Sequence, residues 1–150
     1  MRYLLLAILM LSTPVAGLAA DSKTEADQAG TVAKTFINGY VKASMSRSWN
    51  SEKWVASCPL VTSNFRSTLK KMISDGFKQN PEVGLDGDPV IAGNDCPDSF
   101  TIKSASADGK TASVILIGPK DYPRQIKVRL FNSDGKWLVD ACGDMLRCPR

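Results

Sequence analysis

The chain has 150 residues, 43% of them hydrophobic and 23% charged, with 19 Lys+Arg against 15 Asp+Glu, four cysteines and no histidine. Without histidine, Ser-His-Asp and Cys-His catalysis and the usual proton shuttle near neutral pH are excluded. The net charge of +4 is mild and the basic residues never exceed two in a row (Lys70-Lys71), so neither a nucleic-acid nor a membrane-surface partner is expected.

The first segment reads as an address. Met1-Arg2 carries one positive charge, Tyr3 to Leu11 is almost unbroken apolar sequence, Pro14 interrupts it, and Gly17-Leu18-Ala19-Ala20 places small residues before Asp21. That is the pattern of a secretory signal peptide over 1–20, cut after Ala20 or Ala19. The apolar run falls short of the roughly 20 residues a membrane crossing needs. No cysteine stands directly after it, so no lipid anchor is expected. Loss of Arg2 lowers the net charge by one unit. The secreted remainder, 21–150, suits a single domain in the periplasm.

Residues 24–46 are predicted to form a long helix, with Val32, Phe36 and Tyr40 on one ridge and Ala33, Ile37 and Val41 on the next. Residues 47–60 form a connection holding Trp49 and Trp54. A second helix is expected over 63–77, where Phe65, Leu69, Met72, Ile73 and Phe77 keep helical spacing; Asn80-Pro81 ends it. The stretch 80–99, dense in Gly, Pro, Asn and Asp, reads as an ordered loop with a short strand at Val90-Ile91. Four strands follow, over 100–106, 111–117, 125–131 and 137–142. Asp108-Gly109 and Asp134-Gly135 make hairpin turns between the first and last pairs. Ile126, Val128 and Leu130 point inward, with Lys127 and Arg129 outward. Trp137, Val139 and Ala141 share one face, and Leu138, Asp140 and Cys142 the other. Helices followed by an antiparallel meander define an α+β fold, the helices packed on one face of the sheet.

Cys58, Cys96, Cys142 and Cys148 all follow the leader. An even count in an exported chain predicts two disulfides, with three possible connectivities. Zinc is disfavoured because there is neither a C-x-x-C motif nor a histidine. The preferred pairing is 58–96 and 142–148. Cys58 and Cys96 both precede a proline and sit at extended, turn-like points, while a short ring from Cys142 to Cys148 would tie down the tail.

Three stretches carry a family likeness: the opening helix with Phe36 and Tyr40; Leu85-Asp86-Gly87-Asp88-Pro89-Val90 leading to Asn94-Asp95; and Gly135-Lys136-Trp137-Leu138-Val139-Asp140. The chain resembles an uncharacterised family of bacterial exported proteins, a domain of unknown function with a nuclear transport factor 2-like, cystatin-like fold. The resemblance implies a curved antiparallel sheet wrapped around helices, a cone with a pocket at its wide end, and a periplasmic address. It implies no established activity and therefore no catalytic residues.

Candidate sites are few. Asp140 is the one acid of the last strand and could enter such a pocket. A lone acid lacks the paired group that acid–base work wants, so a solvated or ion-paired strand residue, or one near the sheet edge, is the favoured reading. Asp86, Asp88, Asp95 and Asp98 form the densest acidic patch. Their spacing is not that of a calcium loop, and Asp beside Gly and Pro usually bonds its own backbone in turns. Trp49, Trp54 and Trp137 could line a pocket or anchor a partner, with core packing the commoner use of tryptophan; Trp137 is expected in the core, and one of Trp49 and Trp54 partly exposed in the connection. Lys127 and Arg129 could meet an acidic partner, with a solvated sheet face as the default. The expected binding residues are thus Trp49, Trp54, Asp88, Asp95 and Asp140, with no catalytic residue, metal or cofactor. The first functional expectation is a non-enzymatic envelope domain that binds a protein or small ligand through the open side of its sheet, such as an immunity or inhibitor protein. The alternatives are a small cone-fold enzyme using Asp140, and a structural envelope protein.

Overall fold

The structure is a computed structural model that describes residues 16–148, with side chains described from residue 22. Most of the expected leader therefore lies outside the described residues, and its last five residues open the first helix. Three helices, α1 (Ala16–Ser44), α2 (Ser51–Ser57) and α3 (Ser63–Gln79), pack against a four-stranded antiparallel sheet. Its strands are β1 (Thr101–Ala107), β2 (Thr111–Ile117), β3 (Gln125–Ser133) and β4 (Lys136–Cys142), in the order β1-β2-β3-β4. A 3-10 turn, Gly143–Arg147, closes the described chain.

Helix α1 lies across the inner face of the sheet and touches all four strands. Its size gradient sets the packing. Ala29, Gly30 and Ala33 let β1 come close: a Cβ on Gly30 would stand 3.0 Å from the Ile102 side chain. Further along, Phe36, Ile37, Tyr40 and Val41 are fully buried and push the layers apart, making room for α2 and α3. Asn50 caps α2, accepting from the Lys53 N–H at 2.7 Å, and Thr62 caps α3, accepting from the Phe65 N–H at 3.0 Å. The segment read as a plain connection thus contains a two-turn helix, which the cap at Asn50 starts.

Both hairpin turns form where the Asp-Gly pairs stand. Asp134 and Gly135 have φ of 53° and 81°, the left-handed pair a two-residue hairpin requires. Residues 60–62 run beside β4: the Val139 N–H donates to the Leu60 carbonyl at 2.8 Å and the Thr62 N–H to the Val139 carbonyl at 3.0 Å. That edge of the sheet is covered, and α3 starts against β4.

Two expectations need correction. The facial assignment along the last strand fails after Val139. The register shifts between Arg129 and Leu130, so that Cys142 pairs with Val128 and Ala141 with Arg129. A bulge absorbs one extra residue, which turns Cys142 into the core instead of leaving it on the Asp140 face. Val90-Ile91 is not a strand either. Asp88 and Gly93 exchange both backbone hydrogen bonds, at 3.2 and 3.1 Å, and close a turn whose tip carries Val90 and Ile91. The two side chains are buried as a plug rather than paired, and Ala92 takes a φ of 57° to complete the reversal.

Candidate functional site

The densest chemistry lies where α1, α2, α3 and the Asp88 turn meet. Phe36 touches Tyr40, Trp54 and Phe65, with ring centroids 6.2, 5.8 and 5.3 Å away. Tyr40 stands edge-on to Trp49 at 4.9 Å and to Trp54 at 5.5 Å. Such edge-to-face geometry is favoured by the ring quadrupoles. Five aromatic rings therefore form one platform, and α2 is fixed on it by the two tryptophans.

Tyr40 has a polar end that this apolar ground cannot satisfy. Its hydroxyl donates to Asp88 Oδ2 at 2.7 Å, and Asp88 Oδ1 accepts the Val90 N–H at 2.8 Å. One carboxylate thus holds its own turn in shape and fastens that turn to α1, 48 residues away in sequence. Burial, joined by the Asp88 charge, pushes the Tyr40 phenol far above its ordinary value. Burial also raises the Asp88 carboxyl, and the hydrogen bonds from Tyr40, Val90 and Ile91 partly oppose it.

The Asp88 shift sets a pH dependence. Its carboxyl pKa is higher in the folded state than the unfolded 3.8, so the unfolded chain releases its proton first as pH rises. The stability this group contributes is full below 3.8 and is lost as pH climbs through the folded value. Asp88→Asn cannot make that transition. Relative to the wild type, the variant should gain stability steadily as pH rises from 3.5 through that window, then hold level. Urea unfolding at half-unit pH steps reads the difference, and a constant offset across the range would contradict it.

Beside this anchor opens a cleft of about 370 Å³, walled by Trp49, Asn50, Ser51 and Glu52 on one side, Ile73 and Phe77 of α3 on another, and Leu85, Gly87, Asp88 and Pro89 on the third. Phe77 is 51% exposed at its mouth. On the other flank of Trp49 and Trp54, a groove of about 400 Å³ runs along Ser46, Ser48, Asn50, Lys53 and Ser57. Trp49 forms part of both walls.

The structure brings together three of the five expected binding residues: Trp49, Trp54 and Asp88. Asp95 is exposed beyond the turn, and its carbonyl takes a hydrogen bond from Arg124, which also reaches the Ala92 carbonyl. Asp140 lies elsewhere, 6% exposed at the start of α3. Its Oδ1 accepts from Thr62 Oγ1 at 2.9 Å and Asn64 Nδ2 at 3.1 Å, while Oδ2 pairs with Arg129 at 3.2 Å. This is the ion-paired strand residue, with Arg129 as its partner. Lys127 is exposed on the open sheet face, where a groove of about 590 Å³ passes Ser106, Ser113, Lys127, Arg129 and Leu146. Asp86 and Asp98 are exposed, and no group of three metal-ligating side chains occurs among the described residues.

All four cysteines are free thiols in the structure. Cys58 ends α2, and its carbonyl accepts from Arg66 at 2.7 Å. Cys96 follows the acidic turn. Burial raises both the Cys96 and Cys142 thiols, the second strongly, and the Asp88 charge adds to each. Neither is a ready thiolate. Cys148 lies along α3 with Lys71 and Met72.

Sequence reasoning missed the polar use of Tyr40 and the rim position of Phe77. A tyrosine at a core position of a helix ridge was the available signal for the first, because its hydroxyl must find a partner when buried. No protein-family model, curated protein or solved structure matches this chain.

Proposed function

We propose that this chain is an exported, non-enzymatic binding domain that engages another protein of the cell envelope through the cleft beside Trp49. The observation that carries the reading is the convergence of Trp49, half-exposed Phe77 and Asp88 around one cleft anchored to the core by Tyr40. Buried aromatic anchors beside exposed apolar rims are the features that dominate protein recognition. On this reading the partner face is the helical side of the sheet rather than its open side. A periplasmic address, a cleaved leader over 1–20 and two disulfides, 58–96 and 142–148, belong to the same proposal. They are supported by the leader pattern and the even cysteine count. So does the finer fold, a nuclear transport factor 2-like cone, for which α1 lying across a consecutive antiparallel sheet gives support. An immunity or inhibitor protein is its concrete form, and an adjacent gene for an exported toxin or hydrolase would strengthen it.

The experiment uses photo-crosslinking amino acids in cells, placed in turn at Phe77 and at Phe131, which is 40% exposed on the open sheet face. A discrete protein adduct from position 77 and none from 131 is expected. Adducts from 131 alone would move the site to the open face, and adducts from neither would end the binding reading.

A further inference from the structure

We propose that the occupant of the Trp49 cleft is a basic segment of the partner protein, one that presents arginine or lysine side chains to the cleft wall. This rests on the binding reading above and names the chemistry of the partner. The cleft is lined by two acids, Glu52 and Asp88, and by no lysine or arginine. The surrounding sequence extends that bias. Between Lys78 and Lys103 the chain carries Glu82, Asp86, Asp88, Asp95 and Asp98 and not one basic residue, in a protein with 19 Lys+Arg. Asp86 is exposed between two cleft-lining residues, Leu85 and Gly87. The cations around it are engaged elsewhere: Lys78 pairs with Asp75 at 3.1 Å, Lys53 lines the neighbouring groove, and Arg124 is held by the Ala92 and Asp95 carbonyls.

The acids are only half of the argument. Phe77 and Trp49 supply aromatic surface at the same mouth. A guanidinium packs its plane against an aromatic ring while its edge donates to a carboxylate, so an aromatic wall flanked by acids favours arginine over a neutral side chain. In a protein of net positive charge, a cleft walled by acids and by no base favours a cationic partner there over the rest of the surface.

The test titrates the full exported chain with an amidated tetra-arginine peptide, followed by tryptophan fluorescence and amide chemical shifts. Tetra-glutamate peptide and free argininamide serve as comparisons. Saturable binding of tetra-arginine is expected, with shifts around Trp49 and Phe77 and an affinity falling on the order of tenfold from 50 to 300 mM salt. Glu52→Gln and Asp86→Asn should each weaken it about threefold to tenfold without moving the unfolding midpoint, while Asp134→Asn, at an exposed acid in the hairpin between β3 and β4, should leave it unchanged. Equal binding of tetra-glutamate, salt-independent binding, or insensitivity to both cleft variants would overturn the proposal. Argininamide binding as tightly as the peptide would overturn it in favour of a small cationic ligand. If position 77 crosslinks a partner whose adduct yield is unchanged in Glu52→Gln, the charge proposal falls while the cleft remains the binding site. If position 77 yields no adduct, both fall.

Discussion

Phe36→Ala is expected to lower the free energy of unfolding by about 4 kcal/mol, within the range for deleting a buried aromatic ring. Phe36 is fully buried and is the one ring that touches α1, α2 and α3 partners together, through Tyr40, Trp54 and Phe65. The cost has two parts, the lost transfer of the ring from water and the cavity it leaves. Neighbouring aromatic rings on three separate helices cannot all collapse into that cavity. For a domain whose total stability is of order 5–15 kcal/mol, such a loss takes much of the margin. Phe36→Leu keeps most of the volume and should cost about 1.5 kcal/mol or less. Urea unfolding of the two variants measures both. Near-equal stability of Phe36→Ala and the wild type would mean that the aromatic platform does not hold the helices together.

Asp140→Ala should cost about 3 kcal/mol, the lower end for removing one partner of a buried ion pair, because Arg129 retains 28% side-chain exposure. The substitution strands Arg129 and also removes the acceptor for Thr62 and Asn64, which lie at the first turn of α3. Replacing both charges, as Arg129→Met with Asp140→Leu, should recover most of the loss, since neither charge is then left unpaired. A residue retained for chemistry behaves differently. Its removal leaves stability unchanged or raises it. Stability of Asp140→Ala at or above the wild-type value would therefore return Asp140 to the list of catalytic candidates.

The sequence made the repetitive parts of this fold legible. The paired ridges of α1 and the two Asp-Gly hairpins are local signals, and each stands within two residues or so of its expected place in the sheet and along the helix core. What was not legible depends on contacts between distant residues. The bulge at Asp140-Ala141 leaves no mark in the alternation of β4; it arises from pairing with β3, and only there does Cys142 turn inward. Val90-Ile91 looked like a strand because two β-branched residues alone do not reveal whether a partner strand exists. The site shows the same division. Trp49, Trp54 and Asp88 were recognisable as unusual residues, yet nothing local could join Asp88 to Tyr40 across 48 positions. Asp95 and Asp140 carried the same residue-level signal and have other surroundings.

The Tyr40 hydroxyl holds Asp88, a wall residue of the cleft, against α1, and ultraviolet absorbance at 295 nm tests that bond. Buried against Asp88, the Tyr40 phenol should stay protonated for as long as the fold persists. The wild type and Tyr40→Phe should then show the same growth of tyrosinate absorbance up to the pH at which near-ultraviolet circular dichroism is lost, and the wild type should gain one further tyrosinate only on unfolding. One extra tyrosinate in the wild type while the fold is intact would contradict that anchor of the cleft wall.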